Sequence, residues 1–428
     1  MKHSINIPYG DSEKRLEVDD KNLLFSVEPP IPPRPSLREE QDEVRRAISN
    51  PIGTPNLDTL IQPQHKVAIL VDDFTRPTPA YKVMLVVLET LAKVGVADDN
   101  VNIIIARGTH RRLSRADMEQ KVGKEVVERF EVKNHENDRN LVSMGKSKMG
   151  TPVWINQTVV EADIRIAIGS VCAHPVAGYG GGAKIIVPGV AGVETIHVNH
   201  SRCDHPNVTI GVTDGNPVRE DMNDIAQIAK LDFIINTILN PQKEIIRVVA
   251  GDVIMAHKEG VKFYSEIYGT KADEPADIVV IGASPRDATF GHATFALYAG
   301  VSMAKAGGTL ILVAPCTEGP GSKAGRESFR ELATMAPDEL MTLIRKGEVS
   351  ASGGAFDYCY SKAMNRNRVV LVSDNYSASE ARDLGVGYAN SVQEAVDNAL
   401  ADVGTDARVG VLPVGGLTVP FGLSIVDC

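Results

Sequence analysis

Two stretches concentrate the side chains able to do chemistry. In AHPVAGYGGGAKIIVPG (173–189), His174 is followed by three glycines, Gly180, Gly181 and Gly182, then by Lys184 and an apolar run that reads as a strand. Glycines let a backbone approach a ligand closely and leave N–H groups free for a phosphate; a plain flexible loop is the bland alternative. The lysine is not that of a phosphate-binding loop. That motif needs GxxxxGK followed by Ser or Thr. Here Ala183 precedes Lys184 and Ile185 follows it, so the Mg²⁺-binding hydroxyl is missing. Beside IIVP the amine is partly desolvated, which lowers its pKa and favours the neutral, nucleophilic form. Such a lysine suits a covalent attachment point.

The second stretch, HVNHSRCDHP (197–206), holds His197, His200, Cys203, Asp204 and His205. Imidazoles at this spacing suit Zn, Ni, Cu or Fe. A closed structural zinc wants two tight pairs with a hairpin or helix between them, which this stretch lacks.

The elements that must position these groups are short β-branched runs: KVAILV (66–71), VNIIIA (101–106), IRIAIG (164–169), DFIINTIL (232–239), ADIVVIG (276–282), GTLILVA (308–314) and RVVLVS (368–373). They are continuous rather than alternating, as in strands buried on both faces. Amphipathic stretches lie between several of them. YKVMLVVLETLAKVG (81–95) has helical spacing and stops at Gly95; PVREDMNDIAQIAK (217–230) begins with a proline suited to a first turn. The pattern predicts an α/β fold with largely parallel sheets flanked by helices. The polar KADEPAD (271–277) places a boundary near 270, giving domains 1–270 and 271–428. VEPPIPPRPS (27–36) reads as an extended arm.

In parallel sheets, ligands bind beyond the carboxyl ends of the strands. DDFTRPTP (72–79), RGTH (107–110) and SVCAHPVAGYGGGAK (170–184) each follow a strand. Asp73, Thr75, Arg76, His110, His174 and Lys184 therefore share one end of one sheet. Singly, each has an ordinary reading as a turn residue, surface cation or solvated histidine. Their common location is the signal.

Composition narrows the function. The chain has 428 residues, 43% hydrophobic and 23% charged, with a net charge of −10. That gives no electrostatic support for nucleic-acid binding. No apolar run is long enough for a membrane span, and the start, MKHSINIPYG, has no apolar leader. The five cysteines (Cys172, Cys203, Cys316, Cys359, Cys428) are dispersed, without a CxxC pair. They fit reduced thiols and a cytoplasmic location.

Four motifs in order resemble the lactate racemase family: DDFTRPTP, RGTHRRLS, AHPVAGYGGGAKIIVPG and VNHS. The resemblance runs over nearly the whole chain. It implies an isomerase that inverts C2 of a 2-hydroxy acid, with two α/β domains and the active site in the cleft between them. It also implies a nickel-pincer nucleotide (nickel pyridinium-3,5-bisthiocarboxylic acid mononucleotide) built by cofactor-maturation proteins. Carried over by the resemblance, Lys184 is the covalent tether, His200 the nickel ligand, and His110 and His174 the acid/base pair. Asp73, Thr75 and Arg76 are contacts to cofactor or substrate. The α-C–H beside a carboxylate is a very weak acid. Hydride removal to an electrophilic cofactor avoids the carbanion, with histidines handling the hydroxyl proton.

The second domain departs from the family. Where lactate racemases carry a glutamine and then a lysine, SPRDATFGHATFALYAG (284–300) aligns His292 and Phe295. The missing lysine argues against lactate as substrate and leaves Arg286 or Arg76 to bind the carboxylate. A phenylalanine there would pack on a longer or more apolar side chain. Two readings stand beside this one: a dehydrogenase or hydrolase using a dissociable nucleotide or a plain His-bound metal, and a non-catalytic binding protein.

Overall fold

A computed structural model describes residues 1–421; Cys428 lies outside the described residues. The first sheet has six strands in the order Ile245–Gly251, Phe233–Leu239, Ile164–Ser170, Val67–Asp72, Val101–Ala106, Glu131–Asn134. All neighbours pair parallel except the first two, an antiparallel hairpin. Chain order reverses beside Val67–Asp72, the first of these strands in sequence, which lies between Ile164–Ser170 and Val101–Ala106. A crevice opens at such a reversal, because the loops leaving the two neighbouring strands diverge.

Both faces of this sheet are buried. Ala68, Leu70, Ala167 and Ile234 enter one core, while Val67, Ile69, Val71, Ile166, Ile168 and Ile235 enter the other. This is why the strands are apolar throughout. Helix Ala80–Val94 ends where Gly95 takes a left-handed φ of 89° and donates to the Leu91 and Ala92 carbonyls. Helix Pro217–Ile228 starts with its proline, capped by the Asn216 side chain.

The second sheet is wholly parallel, in the order Gly387–Ala389, Arg368–Val372, Ala304–Val313, Ala276–Gly282, Val409–Leu412, Leu23–Ser26. Its last strand corrects the division at 270, which assigned everything before it to the first domain. The hairpin Lys2–Tyr9/Ser12–Asp19 also covers this sheet, packing Ile5, Ile7 and Leu16 against Ile278 and Val280. Leu23–Ser26 pairs along the flank of Val409–Leu412 and the hairpin's alternating apolar side packs on the sheet face, a long-range match that no local pattern announces. Residues 27–36 have no regular structure and carry the chain back to the first domain, where Ser36 caps helix Leu37–Ser49. Arg34 pins this arm to Glu244 at 2.5 Å. The strand expected after Lys184 is absent. A short 3₁₀ turn, Gly182–Ile185, and further turns fold Ile185, Ile186 and Val187 into the core.

The domains are packed together. Helix Ala351–Arg366 lies against helix Val193–His200, and Leu340, Met341 and Ile344 join one core of the first domain.

Candidate active site

A cleft of about 350 Å³ opens where the strand-end loops of the first sheet face helices Phe290–Met303 and Ala351–Arg366 of the second domain. Thr75, Arg76, His110, His174, Lys184 and His200 line it from one side, and His292, Phe295, Phe356 and Asp357 from the other. A smaller hollow shares Arg76, His110 and Lys184 with it and is closed by Asp73, Gly181, Gly182 and Asn236.

The loop after Val67–Asp72 is anchored at both ends. Lys121 pairs with Asp72 at 2.7 Å and donates to the Asp73 and Arg76 carbonyls. Asp73 is buried. One of its oxygens accepts from the Thr75 backbone and hydroxyl, at 3.1 and 2.6 Å. The other meets His110 Nδ1 at 2.5 Å. Burial alone would raise this carboxyl, but the His110 contact, Arg76 and Thr75 outweigh it and hold it at about 2. Asp73 is thus ionised and accepts from His110 Nδ1–H, so His110 Nε2 keeps a free lone pair.

His174 differs. It is buried, and its Nδ1 accepts from the Val176 and Ala177 N–H groups, each at 3.2 Å. The neutral ring therefore carries its proton on Nε2. Burial pushes its pKa well below the usual range, and Lys184, Arg76, Arg286 and Arg219 push the same way.

Lys184 keeps part of its surface open to the cleft, yet desolvation drives its ammonium well below the ordinary lysine range, assisted by Arg76 and Arg219. It makes no hydrogen bond or ion pair among the described residues. Two N–H groups of the glycine loop before it are engaged within the chain, while Gly181 and Gly182 line the smaller hollow. Gly180 N–H donates to the Cys172 carbonyl at 2.7 Å, and Gly182 N–H to Asn236 Oδ1 at 2.7 Å. A Cβ at Gly181 would meet Asn236 Oδ1 at 2.6 Å, and one at Gly182 the His257 ring at 2.8 Å. Both also have left-handed φ, 74° and 57°. These glycines admit the protein's own side chains. Arg219, fully buried without an acidic partner, donates to the carbonyls of Ala177, Tyr179 and Gly181. His257 Nε2–H donates to the Gly180 carbonyl at 2.8 Å. Neither residue belongs to a sequence motif, so only the fold reveals them.

His200 ends helix Val193–His200, buried and facing the cleft. Burial and then Lys184 push its pKa down to about 3, offset in part by the Ile196 carbonyl. Its buried Nδ1 makes no ordinary hydrogen bond among the described residues. The other members of HVNHSRCDHP scatter. His197 Nδ1 accepts from Ala351 N–H, Cys203 contacts Met341, Asp204 pairs with Arg345, and His205 Nδ1 accepts from Asn207 N–H. Among the described residues, no three His, Cys, Asp or Glu side chains converge as a ligand set. A metal here would take His200 together with donors from outside the chain.

From the second domain, Arg286 lies 4.9 Å over the Phe295 ring, and its Nε and Nη2 are buried without hydrogen-bond partners. His292 is half-buried in the cleft wall rather than on an outer helix face; burial lowers its pKa. Ser352 joins Thr109 of the first domain at 2.6 Å. Of the site residues expected from the sequence, Gly180 and Arg286 touch neither cavity: Gly180 acts through Cys172 and His257, and Arg286 borders a separate small hollow with Pro77, Tyr264 and Leu417. No described helix is long and apolar enough to cross a membrane.

Comparison with known proteins agrees with this architecture. Residues 9–211 match the lactate racemase N-terminal domain and residues 271–419 the lactate racemase C-terminal domain. The chain is 30% identical over 420 residues to the lactate racemase of Thermoanaerobacterium thermosaccharolyticum, covering 96% of this chain and 98% of that one. It is also 30% identical over 423 residues to the lactate racemase of Lactiplantibacillus plantarum, with the same coverage. The lactate racemase apoprotein structure from T. thermosaccharolyticum superposes with a TM-score of 0.88 at 29% identity, covering 98% of this chain and 100% of that one. With both halves matched and relatives aligned over nearly its full length, the chain belongs to the lactate racemase family and is an isomerase of the racemase class.

Proposed function

We propose that the protein inverts C2 of a 2-hydroxy acid other than lactate, using a nickel-pincer nucleotide tethered to Lys184. The observation that carries this reading is an unpartnered amine of depressed pKa in a cleft ringed by His110, His174 and His200. The residues fit the group. A neutral-biased amine can form an amide, the buried His200 imidazole has a ring nitrogen to spare, and Arg76 borders the adjoining hollow suited to a phosphate. When bound, the nucleotide supplies reversible hydride uptake from carbon.

The chain's residues do the rest. His110 Nε2, oriented by Asp73, takes the hydroxyl proton as the 2-keto acid forms. Arg76, which lines both cavities, holds the carboxylate. His174 serves the proton transfer on the opposite hand. Burial is the main cause of its low pKa, with the Lys184 charge next. Conversion of that amine to an amide removes the second of these and relieves part of the depression. The residues at His292 and Phe295, where the family lysine is absent, support a substrate other than lactate. Packing of Phe295 on an apolar substrate chain is a weaker part of the reading, because Arg286, Phe356 and Tyr298 already surround its ring.

The test is peptide mapping of protein co-produced with the cofactor-building enzymes. An added mass should reside on the Lys184 peptide, with nickel bound, and Lys184→Arg should lose both. Active, nickel-containing protein with an unmodified Lys184 would overturn the tether. Inversion in deuterated water should return the α-hydrogen largely unexchanged; full α-deuteration would indicate proton abstraction instead.

A further inference from the structure

The second-domain wall carries polar groups that the inversion chemistry leaves unused. Asp357, on helix Ala351–Arg366, lines the cleft half-buried, and no hydrogen bond or ion pair engages its carboxylate among the described residues. Burial alone raises its pKa, to about 6. His292 faces the same cavity with no side-chain hydrogen bond. A half-buried carboxyl without a partner in a cleft wall is costly unless something meets it.

We infer that the substrate is a 2-hydroxy monocarboxylic acid whose remaining carbons carry hydroxyl groups, read at the far end of the cleft by Asp357 and His292. This rests on the C2-inversion reading above and specifies its substrate.

Charge and hydrogen-bonding capacity select among tails. A second carboxylate would be repelled by Asp357, leaving Arg76 to bind a single carboxylate. An alkyl tail would leave Asp357 and His292 desolvated without partners. An aromatic tail would meet the cleft-lining rings of Phe295 and Phe356, which are already packed on each other, and would leave Asp357 and His292 without partners. Phe295 is already packed by Arg286 at 4.9 Å, Phe356 at 5.0 Å, His174 at 6.0 Å and Tyr298 at 6.2 Å. An ammonium tail would suit Asp357 but must enter a cleft also lined by the guanidinium groups of Arg76 and Arg107. Hydroxyl groups both donate and accept. They give Asp357 its donors and His292 either role.

The experiment uses cofactor-loaded protein and four classes of single-stereoisomer 2-hydroxy acid: polyhydroxy acids of four to six carbons, alkyl acids of matching length, dicarboxylic acids, and acids with a terminal amine. Products are resolved at C2. The polyhydroxy class should exceed the alkyl class by about tenfold or more in kcat/KM, since a site built for hydroxyl groups rejects analogues lacking them. Asp357→Asn should narrow that ratio, and Asp357→Lys should shift preference towards dicarboxylic acids. His292→Ala, on a different helix, should also narrow it. If an alkyl, dicarboxylic or amino acid tail wins, or if the ratio is unmoved in all folded variants, the inference fails while C2 inversion stands. If nickel-containing protein inverts no 2-hydroxy acid, the C2-inversion reading itself fails.

Discussion

His110 Nδ1 and Asp73 Oδ2 meet at 2.5 Å across two separate loops, with Asp73 almost wholly buried and His110 open to the cleft. The contact fixes which ring nitrogen carries the proton, and so makes the other a base. Asp73→Asn keeps the shape but offers an amide that can donate to Nδ1 and favour the wrong tautomer. We expect kcat to fall about 10²–10⁴-fold with nickel content unchanged. Steady-state kinetics beside metal analysis would check this, and wild-type kcat in Asp73→Asn would remove His110 from the base role.

Arg219 holds three loop carbonyls from within the core without an acidic partner. Arg219→Met should leave those carbonyls unsatisfied, costing about 1–3 kcal/mol each at most. It should also release one of the charges that depress Lys184. The pH midpoint for amine labelling of Lys184 in cofactor-free protein should therefore rise. A lower Tm with an unshifted labelling midpoint would confine Arg219 to a structural role.

His197 and His200 are one helical turn apart but do different things. His200→Ala should lose nickel from co-produced protein. His197→Ala should retain it and instead loosen the contact to the start of helix Ala351–Arg366, seen as faster hydrogen exchange there. Equal nickel loss in both variants would restore the HxxH reading as a metal pair.

Buried neutral histidines set the acid stability. His135 donates to the Ala191 carbonyl and accepts from Asn156, and burial lowers its pKa to about 4; His257 is lowered to about 3, also by burial. Their folded pKa values lie below the unfolded value, so the unfolded chain binds protons first as pH falls. Stability is complete above about pH 6.5 and declines from there towards pH 4, by about 3 kcal/mol for His135 alone. Asp73, held at about 2, adds a second loss only below the usual carboxylate range of about 4. Urea melts from pH 7 to pH 4 should show the first decline, flattened in His257→Gln; a flat profile over that window would contradict it.

The sequence by itself determined the repeating strands, the helix stop at Gly95 and the helix start at Pro217, and the clustering of reactive residues after the strands that begin near 66, 101 and 164. These are local signals: a strand buried on both faces must be apolar throughout, and a loop residue betrays itself by following one. The four motifs also carried the family, because their order and spacing are written in the chain. Only the tertiary structure decided the rest. Leu23–Ser26 joins the edge of the second sheet, across more than two hundred residues, and the hairpin before it covers one face of that sheet with its apolar side. IIVP after Lys184 is a buried turn rather than a strand, since apolar content alone does not distinguish the two. Gly181 and Gly182 pack closely on Asn236 and His257 while lining the hollow beside Lys184, a matter of which side chains converge there. The same holds for Arg219, Ser352 and Asp357. Each sits in an unexceptional helix and gains its role from what the opposing element brings within a few ångströms, which spacing along one chain does not encode.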